Sequence, residues 1–320
     1  MSVSRFFTVC VLGLFATILN AQEWPAKVVK FVSPYPPGGS VDPLARLMAL
    51  KVGESLKQQF IVENRVGASG LIGTSFVAKS PPDGYTWVFV FDTHAVHPAL
   101  NANMPYDTVK DLAPVTLIAT APMAIATAAG KPYRNLADVV AAAKAKDGLT
   151  IGSVGNGSLG HLFMILLSQA SGAKLIHVPY KGGGPLTTDA MGGQVELAIA
   201  SVAPISPHVR SGKLRTLATT GDKRSQAMPD VPTLAEQGVG GLTAAAWWGM
   251  LAPAGTPKPI IDRMHAEMRK ALSLPDVRKT LTETQGMDIV AASPEATQKF
   301  ILGEMQRWGK VVKENGIKAD

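Results

Sequence analysis

Cysteine is almost missing from this chain of 320 residues: Cys10 is the single copy, and no thiol follows it. That excludes disulfide staples, thiolate metal sites and a cysteine nucleophile together. Charge is sparse as well, with Asp, Glu, Lys and Arg making up 17% of residues. The net charge of +7 is scattered, its longest basic runs being pairs such as Lys223-Arg224, Arg269-Lys270 and Arg278-Lys279. Nucleic-acid binders concentrate basic residues on one face or helix. No such cluster exists here, so no nucleic-acid partner is expected, and the surplus reads as a solvated surface mildly attractive to anions. Beyond residue 21 no apolar run is long enough to span a bilayer. Ala119–Ala129 is interrupted by Pro122 and stops at Gly130-Lys131.

The first twenty-one residues carry an export pattern. Arg5 gives a positive start, Phe6 to Leu19 an apolar stretch, and Leu19-Asn20-Ala21 a small residue before Gln22. That stretch falls short of the roughly 20 apolar residues a membrane span needs. A lipid-anchor signal would place small residues ahead of its cysteine, whereas Thr8-Val9 precede Cys10. The expectation is a signal peptide over residues 1–21, cleaved near Ala21, and a periplasmic product of roughly 300 residues. Such a length folds without staples and implies two domains.

β-rich runs alternate with amphipathic stretches of helical length, the pattern of an α/β fold. Strands are predicted at Lys27–Ser33, Phe60–Glu63, Trp87–Phe91, Leu149–Val154, Lys174–Val178, Val195–Ala200 and Lys213–Thr219. Helices are predicted at Pro43–Gln58, Leu71–Ala78, His161–Ser171, Leu186–Met191 and Pro257–Leu272, with Pro294–Glu314 interrupted near Gly303. Proline- and alanine-rich passages at Ala113–Lys131 and Met228–Trp248 read as two crossings between lobes. One lobe would hold residues 22–121 and 245–320, the other 122–244. Two crossings suit closure by rotation about a few connecting residues.

Several loops between a strand and a helix are suited to an anion, because free N–H groups at a helix start attract carboxylates. In Ser33–Pro43 the prolines stiffen the approach to Gly38-Gly39, which let backbone amides come close to a guest. Tyr35 and Pro36 flank them, and Asp42 reads as a cap or as an i,i+4 partner of Arg46. Gly67–Gly73 offers Ala68 and Ser69. In Phe91–His97 stand Asp92, Thr93, His94 and His97. A pocket wall, a metal site and an ordinary loop all stay open there, although no distant fourth ligand is in view. Gly152–His161 contains a Gly155-x-Gly157-x-x-Gly160 run, yet no acidic residue lies between Asp147 and Asp189 to hold a ribose. A dinucleotide is thereby excluded, and no other cofactor is expected. Ser153, Asn156, Gly157 and Ser158 remain as donors facing an anion, with His161 as either a ligand contact or a cap. Val178–Pro185 adds Tyr180 and Lys181 beside three glycines. Ser201 stands after a strand, where ligands of open α/β sheets gather.

Catalytic templates fail. There is no Gly-x-Ser-x-Gly elbow, and the pairs Gly130-Lys131, Gly212-Lys213 and Gly309-Lys310 lack the P-loop continuation. The residues describe a binder with no catalytic set. The alternative is an exported, metal-assisted enzyme acting on a small carboxylate through Asp92, His94 and His97.

Taken in order, many stretches resemble the Bug family of extracytoplasmic solute-binding proteins, which serve tripartite tricarboxylate transporters. They are Trp24-Pro25, Pro37–Asp42 with Ala45-Arg46, Val62–Arg65, Gly67–Gly73, Ser80–Thr86 and Pro105–Asp107. They continue with Gly155–Leu162, Val178–Gly182, Asp230–Thr233, and Trp248 with Leu251–Pro257. The resemblance implies a two-lobed, hinge-closing fold of the type II-like periplasmic binding proteins with its ligand in the cleft. It also implies a small mono-, di- or aromatic carboxylate held by main-chain amides and short hydroxyls, a monomer, and membrane transporter subunits as partners. Gly38 and Gly39 match the family's first carboxylate-holding loop, and Gly155–Ser158 would face it. Two departures stand out: Tyr35-Pro36 where Phe-Ala or Phe-Pro is usual, and Ala68-Ser69 where Ala-Gly is frequent.

Overall fold

The computed structural model describes residues 24–318; the export signal, its cleavage near Ala21 and Cys10 lie outside them. The first lobe opens with β1 (Val29–Ser33), α1 (Val41–Leu56), β2 (Phe60–Asn64), α2 (Leu71–Ala78), β3 (Thr86–Phe91) and α3 (Thr93–Leu100). A long strand, β4 (Leu112–Ala128), leads into the second lobe. There follow α4 (Leu136–Ala145), β5 (Leu149–Ser153), α5 (Leu159–Ser171), β6 (Leu175–Pro179), α6 (Gly183–Met191), β7 (Leu197–Ser201), α7 (Val202–Arg210) and β8 (Leu214–Thr219). The chain returns through β9 (Ala245–Pro253) to α8 (Lys258–Ser273), α9 (Pro275–Lys279), β10 (Asp288–Ile289) and α10 (Pro294–Glu314).

The helices form where apolar residues recur on one face. In α1, Leu44, Ala45, Met48, Ala49 and Val52 are buried, and the helix stops as Lys57 turns left-handed and returns its N–H to Gly53. In α8 the stripe is Ile261, Met264, Met268, Ala271 and Leu272. These bury against Phe31, Phe89, Trp248 and Met250 on one face of the first sheet. Val32, Val88, Val90 and Trp247 point to the other face, beneath Val77 and Ile301, as the period of two along a strand requires. The second lobe repeats this sandwich: Leu162, Phe163 and Leu167 of α5 cover one face, Leu186 and Ile205 the other.

The strand order is β2-β1-β3-β9-β4-β7-β5-β6, with β10 and β8 also on β4. β4 therefore belongs to both lobes. Its residues Leu112 to Pro122 pair with β9, and Met123 to Ala126 pair with β7. Partners change at Pro122, which has no N–H to donate. Sequence reading treats Ala113–Lys131 as a crossing by composition alone; the crossing is itself a strand.

Four helices escape the sequence reading: α3, α4, α7 and the short α9. Pro98 inside α3 and Pro207 inside α7 mask their periodicity. The break predicted near Gly303 does not occur, for α10 runs unbroken over Pro294–Glu314. A glycine inside a helix costs only about 1 kcal/mol, and burial of Ile301, Trp308 and Val312 outweighs that.

Helix α10 joins the lobes a second way. Ile301 packs in the first lobe, whereas Trp308 and Val312 enter the core of the second. Replacing Trp308 by Ala removes a side chain only 2% exposed. The expected loss of unfolding free energy is about 3–5 kcal/mol, measurable by urea denaturation.

Helix α3 contributes polar groups to the interior. Asp92, His94 and His97 are 2%, 2% and 4% exposed. Burial holds His94 down to about 3, with His97 adding repulsion. Burial likewise holds His97 at about 4, partly offset by the Ser69 backbone. Both imidazoles stay neutral in the fold while the unfolded chain protonates near 6.5. Stability is thus fully present above that pH and falls as pH drops toward 4, by up to about 1.4 kcal/mol per pH unit per histidine. Asp92, whose pKa burial raises, works in the opposite sense, one group against two. Urea midpoints between pH 7 and 4 should fall steeply, and less steeply in His97→Gln.

Candidate functional site

Two helix starts, one from each lobe, face each other across the seam. On the first lobe, Ser33 Oγ and the Asn64 amide both donate to the Tyr35 carbonyl, at 3.3 and 3.0 Å. Asn64 also donates to Asp42 at 2.7 Å, and Arg46 grips Asp42 with two bonds of 2.9 Å. Asp42 is therefore an anchor of the loop, satisfied by Arg46 as the i,i+4 spacing implies. Ser40 Oγ accepts from the Trp248 indole at 3.1 Å and caps nothing. Between these anchors Gly38 takes φ +85, and a Cβ there would lie 3.5 Å from Gly184 of the other lobe. A Cβ on Gly39 would lie 3.7 Å from the Gly183 amide nitrogen. Gly182 (φ +116), Gly183 and Gly184 open α6.

The remaining two loops close the sides. Gly67, Ala68, Ser69 and Gly70 all have positive φ, and Tyr35 Oη and Thr93 Oγ1 both lie 3.2 Å from the Ser69 carbonyl oxygen. The two hydroxyls also hydrogen-bond to each other, so one donates to its neighbour and the other to the Ser69 carbonyl. Opposite, Ser153 Oγ lies 2.7 Å from His177 Nε2 and 3.1 Å from Ser158 Oγ, and it donates to the Gly155 carbonyl at 2.9 Å. Ser158 caps α5 by accepting from the His161 amide. His161 Nδ1 accepts from the Gly157 amide at 3.1 Å, and its ring stacks on His177 at 3.8 Å. Burial, with His161 adding repulsion, pushes His177 down to about 4. Both imidazoles buttress the Gly155–Ser158 loop from behind.

Between the lobes lies a cavity of about 470 Å³ lined by residues 34–36, 66–70, 154–156 and 179–181. Next to it, sharing Tyr35 and Val154, is a void of about 20 Å³ among Gly39, Ser40, Phe91, Gly183 and Ser201, room for about one water. The sequence candidates divide accordingly. Tyr35, Pro36, Ala68, Ser69, Asn156, Tyr180 and Lys181 line the larger space, and Gly39 and Ser201 the smaller. Gly38 forms the seam with Gly184, while Gly157 is pressed against Leu100. Thr93, Ser153, Ser158 and His161 hold loops in place from behind. His94 is buried with neither ring nitrogen hydrogen-bonded, its ring parallel to Tyr106 at 6.3 Å. Val66, Val154, Pro179 and Pro204 were not singled out as contacts, since apolar residues at strand ends carry no chemical signal.

No residue lining either space is acidic, and Lys181 is exposed at the larger one. Burial and the Asp189 carboxylate push Tyr180 up to about 12, so its hydroxyl stays a donor, held by Asp189 at 3.0 Å. A separate cavity of about 270 Å³ adjoins Pro122 and Gly286, but there Asp222 and Asp288 offset Lys223 and Arg224. Asp92, His94 and His97 do not converge on a point. Among the described residues no group of three or more His, Cys, Asp or Glu is placed to hold a metal ion.

Comparison with known proteins gives the family and the fold. BugT of Bordetella pertussis is 36% identical over 327 residues, covering 99% of each chain. A structure of the periplasmic binding protein BugD superposes with a TM-score of 0.87 at 31% identity, covering 92% of this chain and 99% of that one. An R. palustris protein solved with adipate gives a TM-score of 0.89 at 35% identity, over 92% and 99% of the two chains. The profile described as "Tripartite tricarboxylate transporter family receptor" matches residues 44–317. With that match spanning most of its length, the chain belongs to the tripartite tricarboxylate transporter receptor family.

Proposed function

We propose that this protein captures a small carboxylate between its lobes in the periplasm and delivers it to a tripartite tricarboxylate transporter. The observation that carries the reading is the interlobe cavity of about 470 Å³, lined by Gly67–Gly70 ahead of α2 and by Gly155 ahead of α5, with no acidic side chain among the described residues that line it; the α1 and α6 starts meet beside it, around the smaller void. Unpaired N–H groups at a helix start favour negative charge, and more so where little water intervenes. Adipate in a relative of the same fold supports a carboxylate as guest. The volume falls at the small end of ordinary ligand pockets, which fits a metabolite of a few carbons. In this reading the protein acts as a monomer, the lobes divide near residues 121 and 245, and closure turns about the partner change at Pro122. No catalytic role is assigned to Asp92, His94 or His97.

Calorimetry on the purified protein with aliphatic, aromatic and amino-acid carboxylates tests the proposal. At least one carboxylate should bind, while amines, sugars and divalent metals should not. Gly39 gives a sharper test, because its φ is not in the left-handed range and a side chain is sterically admissible on its own lobe. In Gly39→Val the added methyls stand between the facing amides. Affinity should fall at least tenfold, about 1.4 kcal/mol, with an unchanged melting temperature. Unchanged affinity would remove the first loop from the site.

A further inference from the structure

Ser69 sits where the backbone favours glycine. It is the third of four consecutive residues with positive φ, at 142°, 46°, 51° and 101° for Gly67, Ala68, Ser69 and Gly70. Side chains disfavour that region because Cβ crowds the neighbouring carbonyl. The conformation persists because the surroundings hold it: the hydrogen-bonded pair of Tyr35 and Thr93 hydroxyls sits against the Ser69 carbonyl, both oxygens 3.2 Å away. Glycine would satisfy all of those constraints without strain. The backbone therefore explains the loop and leaves the serine side chain unexplained.

That side chain turns away from its own lobe. Ser69 Oγ donates across the seam to the Asn156 carbonyl at 3.4 Å, a long and weak bond. A Cβ on Gly155, which takes φ +142, would come within 2.8 Å of it. The residue borders both the main cavity and a second space of about 140 Å³ lined by His97, Asn101 and Asn156. Of the four strained residues it alone carries a hydrogen-bonding side chain. Close by, the cavity wall is apolar at Val66, Val154 and Pro179.

We infer that Ser69 is a specificity-determining residue, whose hydroxyl donates to a second acceptor on the bound carboxylate. That acceptor is a hydroxyl, keto or further carboxylate oxygen, and it replaces the Asn156 carbonyl as the partner of Ser69. The protein accordingly prefers carboxylates bearing such a group over plain alkyl acids of the same length. An exchange of one weak bond for a better one favours the matched ligand, whereas an alkyl chain there leaves the hydroxyl on Asn156 and gains nothing. This inference rests on the carboxylate reading of the site.

The test is calorimetry on wild type, Ser69→Ala and Ser69→Gly with four-carbon and six-carbon acids. Each set holds a plain alkyl acid, its hydroxy and keto derivatives, and the diacid. Wild type should prefer at least one acceptor-bearing member by tenfold or more. In both variants that preference should collapse, while affinity for the alkyl acid changes less than threefold. Ser69→Gly should also melt at or above the wild-type temperature, because the backbone strain is gone. A uniform loss across the panel would assign Ser69 to lobe closure alone and overturn the inference, as would an unchanged preference in Ser69→Ala. If wild type binds none of these acids, nor any other carboxylate, the carboxylate reading fails first and takes this inference with it.

Discussion

Capture as proposed turns on backbone N–H groups at helix starts, held where two lobes meet. A helix leaves its first amides without internal partners, and α1 and α6 bring such starts together at Gly39 and Gly183. On the α6 side the approach is tight: a Cβ on Gly184 would lie 3.0 Å from the Pro37 carbonyl, and one on Gly182 3.0 Å from the Pro36 ring. Among the described residues no arginine lines the cavity, and the cation there is Lys181, exposed at its border.

Opening needs an element common to both lobes, and β4 supplies it. Its pairing passes from β9 to β7 around Pro122, where the missing N–H interrupts the ladder. Small residues dominate this strand, and Ala119, Ala121, Ala124 and Ala126 are buried against both sheets. Helix α10 and the clasp of Ser206 and Arg210 on the Thr284 carbonyl tie the lobes on their flanks. The cleft is thus bounded by the shared strand and by contacts that join the lobes on its flanks.

Much of this was legible in the residues. Apolar stripes gave α1 and α8 nearly to their ends, and the glycine loops were visible because positive φ restricts the choice of residue. Three kinds of information were not legible. Prolines hid α3 and α7, since local propensity opposes helices that tertiary packing nevertheless stabilises. The alanine-rich β4 lacked the regular β-branched alternation that marks a strand, because its pairing passes from one sheet to the other along its length. His161 appeared as a possible contact, yet it supports the Gly157 amide from behind. Whether a polar residue faces the cleft or braces the loop that does is decided by its neighbours on the other lobe, which no single stretch of sequence contains.

The most direct measurement of amide-mediated capture is the chemical shift of the backbone amides themselves. With a bound carboxylate, the proton and nitrogen resonances of Gly38, Gly39, Gly183 and Gly184 should move downfield together. The uncharged primary amide of the same acid should leave them in place. Large shifts confined to the Asp222–Gln226 cavity, or equal shifts with the uncharged analogue, would contradict the account.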